Sequence, residues 1–448
     1  MKASDGQVMR TYMQRFSPQR QALSWTAHVK KLTLDTMSLK KVDIAIVGGG
    51  LSGGLASLAL ADAGFECALI DAQSPEAMRS HSFDGRTTAI AYASARVFDR
   101  LGLWEGIEPV AGPIWDILVT DGRPKGRFRD GRVSPLHLHF DSTELENDAP
   151  LGWIVENRHL REALYSAIGR RDDISLIAPS RWTGRRSDAG RSVLTLDNDD
   201  QIEAALVVAA DGRHSALRAD AKIKVNHWRY SQVGIVATVA HELDHEGLAQ
   251  EFFLPAGPFA ILPMMGNRSS LVWTEQADAA PAFLDLHDDA FLHQITERFG
   301  DYLGDISLAG PRWSYPLAFH LSQSFIAPRL ALIGDAARAI HPIAGQGYNL
   351  GVKDIAALTD VLRDGASLGL DIGALTTLAR YQRWRRFDSV MLALGTDVLN
   401  KLFSNDIPPL RLARDIGMDA VGKIAPLRRF FMRQAGADLG DLPSLMAR

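Results

Sequence analysis

The part of the chain that most constrains the fold is a strand, a glycine-rich turn, a helix and a second strand that ends in an acid. Residues 42–47 form an apolar run of the kind found in buried parallel strands. Gly48, Gly50 and Gly53 follow at G-x-G-x-x-G spacing, and the second apolar run ends at Asp71. Such glycines allow a tight turn and close approach of a pyrophosphate, and the acid can bind ribose hydroxyls. The unit predicts a Rossmann-like domain that binds a dinucleotide, but it does not distinguish FAD from NAD.

A second glycine-rich segment, far away in the chain, makes that distinction. An apolar run at residues 329–333 ends at Gly334 and Asp335, and a Gly/Pro-rich stretch then leads into a helical pattern. A carboxylate at a strand end can accept a hydrogen bond from a ligand hydroxyl. Glycines let backbone N–H groups approach a flat ligand, and the helix start adds free donors and a positive dipole end. The segment therefore favours a site for a polyol chain and an electron-accepting ring, as in FAD.

The sequence of residues 341–354, His-Pro-Ile-Ala-Gly-Gln-Gly-Tyr-Asn-Leu-Gly-Val-Lys-Asp, resembles a flavin-binding motif. Class A flavoprotein aromatic hydroxylases, relatives of para-hydroxybenzoate hydroxylase, carry this motif, and the match is strongest to the branch that hydroxylates ubiquinone precursors. The resemblance implies that Asp335 binds the ribitol chain. It also implies a loop at the flavin ring, where catalysis takes place, built from Pro342, Gly345, Gln346 and Gly347.

Three further segments fit the same resemblance. Residues 211–218 match the family pattern Asp-Gly-x-x-Ser-x-x-Arg, which is associated with flavin pyrophosphate and nicotinamide nucleotide handling. Arg86 and Arg158 resemble arginines on the flavin side, although each alone is also compatible with a surface salt bridge. The expected cofactor-binding residues are Gly48, Gly50, Gly53, Asp71, Arg86, Arg158, Asp211, Gly212, Gly334, Asp335, Gly345, Gln346, Gly347, Tyr348 and Asn349.

The positions of these motifs predict a discontinuous domain organisation. Residues 41–112, 151–225 and 322–371 are expected to form the FAD-binding domain. Residues 113–150 and 226–321, which include runs rich in β-branched and aromatic residues, are expected to form a substrate-binding β-sheet domain. Residues 372–448 follow as a C-terminal helical region. The fold class is thus α/β, a Rossmann-like FAD/NAD(P)-binding domain with an inserted β-sheet domain and C-terminal helices.

The two ends of the chain are basic. Residues 1–40 hold seven Lys/Arg against two Asp/Glu, and we expect a disordered extension, with an organelle transit segment as the alternative. Residues 408–414 and 423–433 combine basic and apolar side chains. That composition fits an interfacial helix that contacts membrane lipid or a biosynthetic complex. The alternative is a terminal helix that packs on the body of the protein.

Composition limits the partners and the compartment. A net charge of −4 gives no reason to expect nucleic acid. The single cysteine, Cys67, cannot form an internal disulfide, which fits a reducing, cytoplasmic location, peripheral at the inner face of the membrane if the basic tail binds lipid. Cys67 itself is expected to be a buried small hydrophobe.

Two pairs of histidines have spacings that could suggest a metal site. His241 and His245 match H-E-x-x-H, but the motif follows a β-branched strand rather than lying on a long helix, so a loop between strands is preferred. His137 and His139 would share one strand face without a third ligand, and are expected to be a surface pair. No metal is expected.

The resemblance implies an FAD-dependent monooxygenase. NADPH or NADH would reduce the flavin, O2 would form a flavin C4a-hydroperoxide, and the ring of a prenylated phenol in ubiquinone biosynthesis would be hydroxylated. The segment Phe253–Pro263 resembles the same branch. The alternatives are a hydroxylase of a soluble aromatic acid, a prenyl-chain reductase, and a non-catalytic FAD-bound scaffold of a biosynthetic complex.

Overall fold

The computed structural model describes residues 38–121, 137–145, 149–340, 345–403, 421 and 423–448. Three expectations fall outside these residues: the extension up to residue 37, the loop residue Pro342, and the basic stretch around 408–414. The extension was expected to reach residue 40, but the first strand already begins at Leu39, because residues 39 and 40 pair with Gln201 and Ile202.

The helices and strands alternate early in the chain, and strands dominate its middle. The helices are α1 (Leu51–Asp62), α2 (Pro75–Met78), α3 (Tyr92–Arg100), α4 (Trp104–Ile107), α5 (Asn157–Ile168), α6 (Ala216–Asp220), α7 (Ala280–Leu284), α8 (Asp288–Phe299), α9 (Gly347–Ser367), α10 (Leu375–Phe403) and a terminal helix, Ala425–Ala435. The strands are β1 (Leu39–Val47), β2 (Cys67–Ile70), β3 (Thr87–Ala91), β4 (Gly112–Ile114), β5 (Asp116–Asp121), β6 (His137–Asp141), β7 (Gly152–Glu156), β8 (Ile174–Ile177), β9 (Trp182–Ser187), β10 (Ser192–Leu196), β11 (Gln201–Ala209), β12 (Val225–His241), β13 (Leu248–Leu254), β14 (Gly257–Met264), β15 (Arg268–Gln276), β16 (Ile306–Leu308), β17 (Trp313–Ser322), β18 (Ile326–Ala327), β19 (Leu330–Leu332) and β20 (Arg338–Ala339).

One sheet, the parallel sheet, carries the glycine-rich turns. Its order is β18-β19-β11-β1-β2-β8, with β10 and β9 added beside β11. The pairs among β19, β11, β1, β2 and β8 are parallel. β2, β19, residues 44–47 of β1 and residues 206–209 of β11 are all buried, as expected where helices cover a parallel sheet on both faces. Consequently the carboxyl ends of β1, β2, β11 and β19, where the motifs lie, meet at one edge.

The second sheet, the large sheet, has the order β20-β17-β12-β15-β14-β13-β5-β6, with β16 beside β12. Its pairs are antiparallel except β13 with β5, which is parallel. One face packs under α7 and α8 through a cluster that includes Phe259, Trp273 and Phe291.

The other face of the large sheet looks toward the parallel sheet. Ala249 and Met264 on this face belong to the main core. A small sheet, β3-β7-β4, lies between the two, and the hydroxyls of Thr87 on β3 and Ser270 on β15 are 3.0 Å apart. The α/β class with a parallel-sheet unit, an inserted β-sheet unit and C-terminal helices is confirmed, while the domain boundaries remain a prediction.

The structure also shows the environment of Cys67 and the character of the helices. Cys67 is buried, and desolvation raises the pKa of its thiol, as expected of a packed small hydrophobe. Within the described ranges, no helix combines the length and the apolar character that a membrane crossing requires.

Candidate active site

In the first glycine-rich turn, residues 48–53, packing requires glycine at two positions, whereas a third glycine faces open space. Gly48 has φ +102°, and a Cβ there would lie 2.4 Å from the carbonyl oxygen of Ala210. A Cβ on Gly53 would lie 1.7 Å from the carbonyl oxygen of Gly48. A Cβ on Gly50 would meet nothing within 4 Å, although Gly50 is the residue directly before α1. The turn therefore leaves room for a ligand beside Gly50, at the N–H groups of a helix start.

The acid at the end of β2 supports this turn. Asp71 Oδ2 accepts the N–H of Gly49 at 2.5 Å, and Oδ1 accepts the N–H of Gln73 at 2.7 Å. The hydroxyl of Tyr165 on α5 donates to the carbonyl oxygen of Gly49 at 2.9 Å. Sequence reasoning missed Tyr165, because its pairing with the turn spans 116 residues and no local pattern marks it.

The loop after β11 lies against the same turn. Ser215 caps α6 by accepting the N–H of Arg218 at 3.0 Å. The Arg218 guanidinium donates to the carbonyl oxygens of Ala336 and Arg213, both at 2.8 Å. Asp211 Oδ1 is buried and has no hydrogen-bond partner among the residues that the structure describes, and a Cβ on Gly212 would meet nothing within 4 Å. This loop thus holds a turn at 334–336 and presents an unsatisfied acceptor.

The turn Gly334–Ala336, which we name the cofactor turn, follows β19 and is fixed by a buried ion-pair network. Gly334 has φ +55°, and its N–H donates to Asp354 Oδ2 at 3.1 Å. Asp354 is fully buried, and it also pairs with Arg338 at 2.6 Å and Arg385 at 2.9 Å. Asp354 closes the glycine-rich motif in the sequence, whereas its two arginine partners were not anticipated.

Asp335, in the middle of the cofactor turn, has no hydrogen bond to its carboxylate from any described residue. The side chain is exposed, yet desolvation raises its pKa, an effect that Arg213 and Arg338 partly offset. The carboxylate is therefore accessible to a ligand, although the surrounding protein shields it from much of the solvent. The imidazole Nε2 of His320 holds the backbone carbonyl of Asp335 at 2.8 Å. Desolvation, reinforced by the charge of Arg218, lowers the pKa of His320 to about 4, so the ring is neutral and donates.

The residues that begin α9 are held mainly by protein contacts. Gln346 Nε2 donates to the carbonyl of Ala435 in the terminal helix at 2.8 Å. Asn349 accepts the N–H of Ala91 at 2.9 Å and donates to the carbonyl of Ala89 at 3.0 Å. The hydroxyl of Tyr348 is 3.3 Å from the carbonyl oxygen of Leu51. These side chains position the start of α9, and the predicted cofactor contacts of Gly345, Gln346, Gly347, Tyr348 and Asn349 remain predictions.

The two predicted arginines already have protein partners. Arg86 is exposed and pairs with Asp84 at 2.5 Å. Arg158 donates to the carbonyl of His81 at 2.8 Å and lies 2.8 Å from Glu156. Neither arrangement tests whether the arginines reach a cofactor, so that role remains a prediction.

Both histidine patterns have ordinary hydrogen bonds. His241 is the last residue of β12, and its ring nitrogens contact the Leu243 carbonyl at 2.7 Å and the Ser269 hydroxyl at 3.1 Å. His245 contacts the Met264 carbonyl at 2.8 Å and the N–H of Gly247 at 3.0 Å. His139 pairs with Asp116 at 2.7 Å. The described residues contain no group of three metal-ligating side chains.

The large sheet contributes a partly open surface on the face that looks toward the parallel sheet. Cross-strand register aligns Val236, Val272, Ala260 and Glu251 in one line, which we name the accessible row. All four keep part of their surface accessible, while Ile235, Trp273 and Ile261 on the opposite face are buried. Trp313, opposite Val236, is 47% exposed, and its ring lies against Gly85 in the loop of Arg86. A mostly apolar wall therefore borders the space beside the cofactor residues.

The geometry fits FAD. Open space lies at Gly50, Gly212 and Gly347, and the starts of α1 and α9 offer N–H groups. Together with the carboxylate of Asp335, these features match the pyrophosphate, ribitol and ring of a flavin dinucleotide. Fold and site together define an FAD-binding oxidoreductase.

Comparisons with known proteins identify the family. A family model described as an FAD binding domain matches residues 41–367. The ubiquinone hydroxylase UbiL of Rhodospirillum rubrum is 46% identical, over 88% of this chain and 90% of that protein. The 3-demethoxyubiquinol 3-hydroxylase of Escherichia coli is 33% identical, over 89% of this chain and 99% of that protein. The crystal structure of p-nitrophenol 4-monooxygenase PnpA from Pseudomonas putida superposes with a TM-score of 0.73, at 18% identity, over 91% of this chain and 100% of that one.

The chain belongs to the FAD-binding class A flavoprotein hydroxylases, in the branch of ubiquinone biosynthesis. It is an FAD-dependent monooxygenase, and the predicted cofactor is confirmed.

Proposed function

We propose that this monooxygenase hydroxylates the aromatic ring of a prenylated phenol in ubiquinone biosynthesis, with NADPH or NADH and O2 as co-substrates. The observation that carries the proposal is the accessible row, whose Val236, Val272 and Ala260 offer a partly open apolar surface beside the cofactor residues. A prenylated ring gains free energy by burying its apolar surface against such a wall. The names of the relatives, ubiquinone hydroxylase and demethoxyubiquinol hydroxylase, support the same substrate class.

In this proposal the protein orients the reactants and excludes water, while FAD, when bound, supplies oxygen activation with electrons from the nicotinamide. Asp335 accepts a hydrogen bond from a ribitol hydroxyl. The starts of α1 and α9 place N–H groups at the pyrophosphate and the ring. Gln346 and Asn349 hold the start of α9 against the terminal helix and β3. These contacts would fix the position of the flavin ring relative to the accessible row.

The alternative substrate, a soluble aromatic acid, would favour a cation to bind its carboxylate. The accessible row instead contains a carboxylate of its own, Glu251, which would repel an anionic substrate. A non-catalytic FAD-bound scaffold and a prenyl-chain reductase have no specific structural feature in their favour.

Access to a membrane-borne substrate calls for a lipid-facing surface. Phe430 and Phe431 on the terminal helix are 50% and 39% exposed, beside the exposed Arg429 and Arg433. Aromatic and cationic side chains together suit the interface of an anionic lipid bilayer. We place the enzyme at the inner face of the membrane through this helix.

Vesicle sedimentation tests the lipid contact. The wild type should bind phosphatidylglycerol vesicles more strongly than neutral vesicles, and Phe430→Ser with Phe431→Ser should abolish the difference. Leu368→Ser, at a residue 72% exposed, is the matched control and should bind like the wild type. Equal sedimentation of the double variant and the wild type would reject the terminal helix as the lipid contact.

Quinone analysis in a deletion strain tests the substrate. We expect a prenylphenol that lacks one ring oxygen to accumulate, and the wild-type gene, but not an Asp335→Ala gene, to restore the quinone. A normal quinone profile in a strain without a second hydroxylase would contradict the proposal.

A further inference from the structure

Glu251 differs from the other partly buried acids of the large sheet in having no partner. Glu275, on neighbouring β15, accepts from the indole of Trp273 at 3.2 Å and lies 3.8 Å from Arg298. The carboxylate of Glu251 makes neither a hydrogen bond nor an ion pair with the residues that the structure describes. An unpaired carboxylate in a protein interior is costly, so its presence calls for a functional explanation.

The side chain faces the cofactor side of the large sheet. Side chains alternate between the two faces of a strand. On β13, Phe252 and Leu254 lie in the cluster under α7 and α8, whereas Ala249 belongs to the core shared with the parallel sheet. Glu251 has the parity of Ala249, so it projects toward the cofactor side.

Glu251 and the residues that contact the flavin loop share one face of the large sheet. Glu251 pairs with Ala260, and Ala260 with Val272, so roughly 10 Å of sheet separates Glu251 from β15. On the same face of β15, Ser270 contacts Thr87 of β3, and Ala89 of that strand lies against Gly345 of the flavin loop. A phenol lying on the accessible row would therefore have Glu251 at one end and the flavin loop near the other.

The surroundings of Glu251 are apolar. Val119 of β5 and Ala260 of β14 are its cross-strand neighbours. Desolvation alone raises the pKa of the carboxyl to about 7, with no resolved contribution from a charged group on either neighbouring strand or elsewhere in the described residues. A base with that affinity for protons is well matched to proton transfer near neutral pH.

We propose that Glu251 is the catalytic base that accepts the phenolic proton of the substrate. The inference rests on the proposed function, because it requires a phenol in the site. The O–H bond of the phenol breaks, its electron pair stays on the phenol oxygen, and a new O–H bond forms on the carboxylate.

The resulting electron-rich ring accepts at carbon a hydroxyl group that bound FAD would supply from O2, with two electrons from NAD(P)H, and the second oxygen atom leaves as water. Rearomatisation then returns the proton of Glu251 to the substrate oxygen, while the proton of the attacked ring carbon leaves to water. Glu251 ends as a carboxylate, ready for the next turnover.

Glu251→Gln keeps the size of the side chain and removes the base. With a short-chain 2-prenylphenol and the FAD-loaded enzyme, we expect product formation to fall about 100-fold in kcat, within the usual contribution of general-base catalysis. KM should change little, and NAD(P)H oxidation should continue with release of hydrogen peroxide. Glu297→Gln, an exposed acid on α8 across the sheet, is the matched control and should behave as the wild type.

Three readouts distinguish a base from a structural residue. The wild-type rate should rise with pH through about 7, the pKa of Glu251, and the Gln variant should lose that rise. Glu251→Asp should keep the rise at a lower rate. A ring-fluorinated prenylphenol ionises at lower pH. The Glu251→Gln variant should hydroxylate it at least tenfold faster than the unfluorinated prenylphenol.

Two negative results have different meanings. A wild type that hydroxylates the prenylphenol and a Glu251→Gln variant with the same kcat and pH profile would overturn the role of Glu251 alone. A wild type that hydroxylates no prenylphenol would overturn the proposed function and the role of Glu251 with it.

Discussion

Asp354 accepts the backbone N–H of Gly334 at 3.1 Å, and this hydrogen bond ties the long helix α9 to the cofactor turn. The same carboxylate is shared by Arg338 and Arg385, which come from a short strand and from α10. The three side chains are almost wholly buried, so the turn that presents Asp335 depends on a charged network inside the core.

Removing Asp354 should therefore destabilise the fold and the cofactor site together. Asp354→Ala leaves the buried guanidinium of Arg338 without its carboxylate partner and leaves Arg385 with Asp388 alone. We expect a loss of about 3–5 kcal/mol in the free energy of unfolding. Asp364→Ala is the control, because Asp364 pairs with Arg380 at 3.2 Å on the surface. That substitution should cost at most about 1 kcal/mol. Denaturant unfolding measures both, and equal losses would show that the network contributes nothing.

The first glycine turn allows folding and binding to be separated. Gly50→Ala should leave the melting temperature of the cofactor-free protein unchanged, because its Cβ meets no atom within 4 Å, but it should block FAD. Gly53→Ala should prevent folding, since its Cβ would lie 1.7 Å from the Gly48 carbonyl oxygen. Flavin absorbance and thermal melts test the pair. Full flavin occupancy in Gly50→Ala would mean that the pyrophosphate lies elsewhere.

Asp335→Ala should weaken FAD binding without destabilising the cofactor-free protein, because the carboxylate has no partner within the described residues and its pKa is raised by desolvation. Loss of one charge-assisted hydrogen bond corresponds to about 1.5–3 kcal/mol, or roughly 10- to 150-fold in Kd. FAD titration followed by flavin fluorescence measures the change. Asp278→Ala, in an exposed turn, should bind FAD as the wild type does; an equal Kd for both variants would reject Asp335 as the ribitol ligand.

His320 should make the stability depend on pH. Its folded pKa is lowered from 6.5 to about 4, so between these values the unfolded chain binds the extra proton. The stability that the neutral ring provides is complete above pH 6.5 and is lost as pH falls toward 4. His320→Asn should flatten the melting temperature in this window relative to the wild type. An unchanged slope would mean that another group titrates.

The sequence predicted the elements whose chemistry is local. The glycines at 48, 50 and 53, the strand before them and the acid at 71 follow one another closely, so spacing alone revealed the unit. Tyr165, Arg338 and Arg385 could not be found in this way, because each reaches the site through tertiary packing. Motif matching also could not show that the amides of Gln346 and Asn349, which lie in the flavin motif, bind protein backbone. Their role at the flavin stays a prediction. Glu251 was missed because a lone acid in a strand has no signature until its face and its neighbours are known.

The central claim is ring hydroxylation of a prenylated phenol, and isotope incorporation tests it most directly. The FAD-loaded protein should be incubated with NAD(P)H, a short-chain 2-prenylphenol and O2 labelled with oxygen-18, and the products analysed by mass spectrometry. The account predicts a catechol-type or hydroquinone-type product that carries one labelled oxygen on the ring, formed with stoichiometric NAD(P)H oxidation. Hydrogen peroxide without a hydroxylated prenylphenol, together with labelled product from a soluble aromatic acid, would contradict it.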